Sequence, residues 1–414
     1  MKIVYLHQYF KLPIERGGTR SYDLAKQFVK AGHSVSVITT TSDKSVATAN
    51  SWTVIEHDGI DVHYIYTPYG NGMSYPKRIW AFFKFMLFST IRLLMVKCDV
   101  VLATSTPLTI GIPALLKKWL AKTPYIFEVR DVWPEAVIAV GAIKNKFFQK
   151  TLLWLERTIY RNAASIVPLS TDMRKSIIER FPEACPKIHH VIPNIAELNR
   201  FKKSVIPVNL REKLGFQPGF TVLYAGTFGR VNGLHKVVEL AAMTQKLDAT
   251  LCYILLGEGI LKQEIIEQAK SLGILNENLY VFDSISKDEL PAWYASVSMG
   301  SSFVIEIKEL WANSANKFFD TLAAGKPVLI NHEGWQAKTI RNKEVGYVLP
   351  SEITEVTAKK FVTYTKNKPL HKQQCQNALE LAESEYSLEV ASQRYLEIFG
   401  KLKPDGKCHN TQYE

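Results

Sequence analysis

A chain of 414 residues with 47% hydrophobic and 22% charged residues is long enough for two globular domains of about 200 residues, each with its own core. The formal net charge of +12 is lopsided: residues 1–200 carry 26 Lys and Arg against 15 Asp and Glu, while the rest is balanced to within one charge. The first half therefore faces something anionic, and because no helix-turn-helix, zinc-finger or RNP pattern is present, phospholipid headgroups or a pyrophosphate-linked acceptor stand ahead of nucleic acid.

The first ten residues, MKIVYLHQYF, have too short an apolar run for a signal peptide. The scattered Cys98, Cys185, Cys252, Cys375 and Cys408 show neither disulfide nor metal spacing. Both features point to the cytoplasm. Strand Lys2 to Leu6, a loop with Gly17 and Gly18, a helix from about Thr19 to Lys30 and strand Ser34 to Thr39 form a βαβ unit. His7, at the end of the first strand, reads as a packing residue, and the Gly17-Gly18 loop either admits a phosphate or sugar or is only a flexible lead into the helix.

Residues 77–97 predict a helix crowded with aromatic and aliphatic side chains, on which Lys77, Lys84 and Arg92 fall within an arc of about 80°. Lys84 and Arg92 forbid a comfortable bilayer span. The pattern suits a membrane interface, with these three cations on an anionic surface, or else a helix packed on the sheet that exposes only its cationic stripe. Lys117-Lys118-Trp119-Leu120 and residues 144–155 repeat the basic and aromatic mixture.

Strand residues from Tyr125 run into Glu128, Arg130, Asp131, Trp133, Pro134 and Glu135. Strand ends are where open α/β sheets bind ligands, and alternation places Glu128 and Arg130 on one face with Asp131 on the other; a structural ion cluster is the alternative. Turn formers between Pro193 and Ile206 mark a linker. Strand Thr221 to Tyr224, a loop with Gly226, Gly229 and Gly233, a helix to about Lys246 and strand Thr250 to Leu256 then repeat the βαβ plan. Arg230 in that loop can neutralise a phosphate near the backbone. Gly257-Glu258-Gly259 is a weaker echo, because Lys262 stands where a dinucleotide fingerprint would have its third glycine.

Ser314 to Ile330 reads SANKFFDTLAAGKPVLI. Ser314 as N-cap, Gly325 as stop and Pro327 beyond it predict a helix from about Ala315 to Ala324 and a strand from Val328 to Asn331. Lys317 and Asp320, three residues apart, share a face: either a surface ion pair, or a site where the helix N-terminus and Lys317 meet a phosphate while Asp320 accepts from a ribose diol. No Asp-x-Asp pair or metal-ligand cluster occurs, so metal-free phosphate handling is expected. Residues 373–402 predict a helical stretch, and 403–414 a polar, disordered tail.

Taken together, Gly17-Gly18, FEVRDVWPE at 127–135, the IPN at 192–194, YAGTFGR at 224–230 and NKFFDTLAAGKP at 316–327 resemble the GT-B glycosyltransferases. The likeness is to family 4 retaining enzymes, and within them to N-acetyl-L-fucosamine transferases of bacterial O-antigen and capsule synthesis.

The resemblance implies two Rossmann-like α/β domains facing across a cleft: residues 1–195 for the acceptor and membrane, 206–385 for the nucleotide sugar, a C-terminal helix over 386–402 and a tail. It implies a donor site of Gly17, Gly18, Gly226, Gly229, Arg230, Glu258, Asn316, Lys317 and Asp320, and catalytic roles for Arg130, Asp131, Arg230 and Lys317. Lys77, Lys84 and Arg92 would meet membrane and acceptor.

Asp320 matches the family's ribose-binding Glu. The first acid of its E-x7-E pattern falls on Ala312, which leaves Glu306 or Glu309 to serve. Lys317 stands in for a family Lys whose position holds Asn232, and Arg130 occupies a place that is His in many relatives, with Asp131 matching a frequent acid. The implied reaction transfers a sugar from a nucleotide-diphosphate sugar, UDP-linked and with no metal or other cofactor, to a lipid-linked saccharide at the inner membrane face. A sugar-nucleotide epimerase of the same architecture, or a noncatalytic scaffold of a polysaccharide complex, are the alternatives; oligomeric state is not indicated.

Overall fold

A computed structural model describes residues 1–15, 17–48, 51–68, 73–141, 143–201 and 205–402; the polar tail expected over 403–414 lies outside these residues. The chain divides into two units, Met1–Pro193 together with the C-terminal segment from Leu388, and Asn194–Ser387.

The first unit is built on seven strands: β1 (Lys2–Leu6), β2 (Ser34–Thr41), β3 (Thr53–His57), β4 (Ile60–Tyr66), β5 (Val100–Thr104), β6 (Tyr125–Val129) and β7 (Ser165–Pro168). Their order is β3-β4-β2-β1-β5-β6-β7. β3 pairs antiparallel with β4 as an edge hairpin, and the other pairings are parallel. β5 and β6 are buried at every position, which is why parallel strands covered on both faces read as continuous apolar runs. Helices α1 (Arg20–Lys30), α2 (Tyr75–Met95), α3 (Gly111–Ala121) and α4 (Lys146–Asn162) pack on this sheet or on one another.

The second unit holds β8 (Phe220–Ala225), β9 (Leu251–Leu256), β10 (Leu279–Phe282), β11 (Met299–Ser302), β12 (Val328–Ile330) and β13 (Gly346–Val348). All are parallel, in the order β10-β9-β8-β11-β12-β13. Helix α5 (Leu234–Gln245) follows the glycine loop and α6 (Asn316–Ala323) precedes β12.

Two expectations change here. The helical stretch expected over 373–402 is two helices, α7 (Lys368–Ser384) and α8 (Leu388–Lys401). They part at Glu385–Ser387, where the chain leaves the second unit; α8 packs on α1 through Phe28, Tyr395 and Phe399. Ser314 is also not the N-cap of α6, a position held by Ala315 without a side-chain bond. The Ser314 hydroxyl instead accepts from the Asn194 N–H at 3.2 Å, and its carbonyl accepts from Asn194 Nδ2 at 2.5 Å.

Candidate active site

In the second unit the strand ends converge on the loop after β8. Gly257 comes so near that a Cβ there would lie 1.8 Å from the Gly226 carbonyl oxygen, and the Phe228 N–H donates to the Glu258 carbonyl at 2.9 Å. Gly233 sits at φ +55, its missing Cβ 2.9 Å from the Val304 carbonyl, so only glycine fits both the left-handed turn and the close approach. Ile305 N–H donates to the Val231 carbonyl at 3.1 Å, so the segment leading to Glu306 runs along the same loop.

Helix α6 enters from below this loop. Phe318, Phe319 and Leu322 bury themselves against Trp335 and Tyr386. That turns Lys317 and Asp320 the other way. A Cβ on Gly226 would meet Lys317 Cε at 2.8 Å, and the ammonium lies 5.0 Å from the centre of the Tyr224 ring. Both charged groups are half-buried, and among the described residues neither has a hydrogen-bond or ion-pair partner within reach. Burial, opposed by Asp320, lowers the Lys317 pKa to about 8. Burial, with Glu197 next, raises that of Asp320 to about 7. Two desolvated, unpartnered opposite charges at strand ends are costly unless a ligand completes them.

The remaining expected donor residues are spread around this point. Arg230 is exposed on the loop, and Asn232 fixes the loop by donating from Nδ2 to the Thr227 carbonyl at 2.5 Å. Gly229 precedes Arg230, and a Cβ there would lie 3.3 Å from Asn232 Nδ2. Asn316, at the first turn of α6, accepts from Asn194 Nδ2 at 2.7 Å, which ties the IPN segment to the helix carrying Lys317. The Glu258 carboxylate pairs with Lys262 at 2.7 Å. Ala312 is buried, Glu306 exposed and Glu309 half-buried.

In the first unit, Glu128 is wholly buried and accepts from Arg20, from the Thr104 hydroxyl and from the Tyr395 hydroxyl, the last at 2.5 Å. Burial opposes its ionisation, but Arg20 and then Arg130 hold its pKa down to about 2. Arg20 also donates to the Ile192 carbonyl at 3.0 Å and the Pro193 carbonyl at 3.3 Å. Glu128 is thus a structural anchor shared by α1, β6, α8 and the chain just before the crossing at Pro193–Asn194. Arg130 and Asp131 stand at the end of β6: the Arg130 guanidinium reaches His7 Nε2 at 3.5 Å, and the Thr106 hydroxyl donates to Asp131. Gly17 and Gly18 are exposed, Gly17 at φ +124.

The expected cationic stripe on α2 is reversed. Lys84 Nζ donates to the Tyr66 carbonyl at 2.8 Å and Arg92 Nε to His63 Nδ1 at 2.9 Å, so both cations turn back onto β4. Lys77 remains exposed. The face turned to solvent is apolar: Ile79, Trp80, Phe83, Leu87, Ile91 and Leu94.

Residues 17–194 match the Glycosyl transferase 4-like domain, and residues 209–381 match Glycosyl transferases group 1. Both halves of the chain are glycosyltransferase domains.

The fold is GT-B. Sucrose-phosphate synthase from Thermosynechococcus elongatus superposes with a TM-score of 0.74 at 16% identity, covering 97% of this chain and 98% of that one. HepE of Anabaena, solved in complex with UDP-glucose, gives 0.70 at 16% identity over 97% and 99%. The α-D-kanosaminyltransferase of Streptomyces kanamyceticus is 19% identical over 60% of this chain and 63% of its own. The matches span 55% and 63% of the lengths of the curated relatives, at 21% and 19% identity.

Sequence reasoning takes His7 for a satisfied packing residue and passes over Gln8. They follow β1 at its carboxyl end, and His7 Nδ1 and both polar atoms of the Gln8 amide are buried without a hydrogen-bond partner among the described residues. Burial, then Arg130, keeps the His7 pKa well below its ordinary value, so the ring is neutral. The signal was their position at the end of a buried strand.

Proposed function

We propose that the protein is a retaining, metal-independent glycosyltransferase that moves a sugar from a UDP-sugar to a lipid-linked saccharide in O-antigen or capsule assembly, N-acetyl-L-fucosamine being the leading donor sugar. The observation that carries this reading is Lys317 laid across Gly226 with Asp320 one turn along the same helix.

In the reaction, the acceptor hydroxyl oxygen bonds to the anomeric carbon as the bond from that carbon to the β-phosphate oxygen breaks. The hydroxyl proton passes to the departing phosphate. Lys317 and Arg230 stabilise the charge that grows on the leaving diphosphate, so they bind the transition state more tightly than the ground state and lower the barrier. Asp320 accepts from the ribose hydroxyls. Arg130 and Asp131 line the acceptor side of the chemistry, and Gly17 and Gly18 let a ligand approach the backbone.

The protein works against a membrane, on the inner face of the bacterial plasma membrane. Support comes from three helices. Besides the apolar face of α2, Trp119 and Leu120 on α3 and Phe147, Phe148 and Trp154 on α4 are also exposed, with Trp80 64% and Phe147 79% exposed. Lys77, Lys118, Lys146 and Lys150 are interspersed, and the one acid on these helices, Glu156, is buried against Arg180. Aromatic groups among cations with no exposed acid suit an anionic bilayer surface. No helix among the described residues is long and apolar enough to cross a membrane.

Product analysis with UDP-sugars and purified bacterial membranes tests the reading. Release of UDP with sugar entering the lipid fraction supports it, and an isomerised sugar nucleotide with no transfer refutes it.

A further inference from the structure

The carboxyl end of β4 and the first turns of α2 enclose a groove of about 730 Å³, within the size range of small-ligand sites. Its walls include Thr67, Met73, Pro76, Lys77, Trp80 and Lys84. Three features of this lining point to one class of ligand. First, it carries two ammonium groups and no carboxylate. Lys84 spends one N–H on the Tyr66 carbonyl, leaving two further donors, and Lys77 is exposed with its full set. Second, Thr67 is 2% exposed and its hydroxyl has no hydrogen-bond partner among the described residues, a polar group waiting for one. Third, Trp80 belongs both to the groove and to the exposed apolar row that continues through Phe83, with which its ring stacks at 5.7 Å, to Leu87.

A ligand complementary to all three has a compact anionic head rich in acceptor oxygens and an apolar tail leaving along α2. A phosphate suits two point-charge ammonium groups and a hydroxyl better than a single carboxylate does, because it offers more oxygens at higher charge. The groove also lies at the carboxyl end of a parallel sheet, where α/β folds place their ligands.

We propose that this groove holds the phosphate-bearing head of the membrane lipid that carries the acceptor, with its hydrocarbon chain running over Trp80, Phe83 and Leu87 into the bilayer. This rests on the lipid-acceptor reading above and assigns it a place. Lys77 and Lys84 then act as phosphate ligands, and the apolar row is the track of the lipid tail.

Farnesyl diphosphate serves as the probe, titrated calorimetrically into the full chain beside farnesol and inorganic diphosphate, with UDP titrated separately. The expected result is saturable binding of farnesyl diphosphate, at least tenfold tighter than either fragment. Lys77→Ala should weaken it about tenfold, equal to about 1.4 kcal/mol, and Thr67→Val severalfold, with UDP affinity unchanged in both. Farnesyl diphosphate affinity that neither substitution alters overturns the proposal. So does farnesol binding as tightly, which makes the groove an apolar contact only, or inorganic diphosphate doing so, which makes it an anion site without a lipid. Loss of UDP binding by the wild-type chain would instead count against the donor reading, so the two failures are distinguishable.

Discussion

Lys317 lies across Gly226: a Cβ placed on that glycine would meet the lysine's Cε at 2.8 Å. The glycine therefore makes room for the lysine rather than only for a turn, and the two meet although one ends β8 and the other begins α6. Gly226→Ala should push the ammonium aside. The expected outcome is a drop of about tenfold or more in kcat/KM for the UDP-sugar, with a stability loss of only about 1 kcal/mol by denaturant unfolding. A variant with wild-type kcat/KM would show that the position of Lys317 is immaterial.

Asp320 and Lys317 make stability depend on pH in opposite senses. The Asp320 carboxyl, raised to about 7, contributes stability that is complete below its unfolded pKa of about 4 and is lost as pH rises through 7. Lys317, lowered to about 8, contributes stability present above about 10 that is lost as pH falls through 8. Both penalties are therefore in force between pH 7 and 8. Asp320→Asn should raise the unfolding free energy there by on the order of 1–2 kcal/mol, with the gain fading toward pH 4, while activity falls. Denaturant melts of both proteins across this range check it; equal stability at every pH would contradict the burial of this carboxylate.

Arg20 and Glu128 form a buried pair with 5% and 0% side-chain exposure. Arg20→Met leaves the carboxylate buried without its main partner and withdraws the donors from the Ile192 and Pro193 carbonyls. A loss of about 3–5 kcal/mol is expected, seen as a melting temperature lower by about 10 °C. An unchanged melting temperature would mean that the anchor is not needed.

The exposed row on α2 predicts vesicle binding that depends on aromatic rather than cationic residues of that helix. Trp80→Ser with Phe83→Ser should reduce flotation with anionic liposomes by tenfold or more, since each buried aromatic ring contributes about 1.5–3 kcal/mol. Arg92→Gln should have little effect on flotation, because its guanidinium is turned toward His63. The reverse pattern would restore the cationic stripe as the contact face.

Much of this architecture was readable in the sequence. β1 and the βαβ units around Gly17 and Gly226 follow from local periodicity and punctuation, which tertiary context did not override. What failed was information carried by packing. A helix apolar around most of its circumference does not say which side the sheet covers, and nothing local shows that Lys84 and Arg92, on their long stems, bend back to Tyr66 and His63. Residues 385–387 contain neither glycine nor proline, so the break between α7 and α8 left no local mark. Ser314 had the right residue type for an N-cap, yet Asn194, distant in sequence, claims its oxygens. The Lys317–Asp320 pair was visible as a shared helix face, whereas its place against Gly226 depends on how β8 and α6 meet.

The central claim is that the second unit holds the nucleotide through Lys317 and Asp320, and the most direct measurement is calorimetric titration of UDP into the wild-type chain, Lys317→Ala and Asp320→Ala. The account predicts saturable binding to the wild type and a loss of about tenfold or more in each variant, with both variants folded by circular dichroism. UDP binding of undiminished affinity in both variants would contradict it.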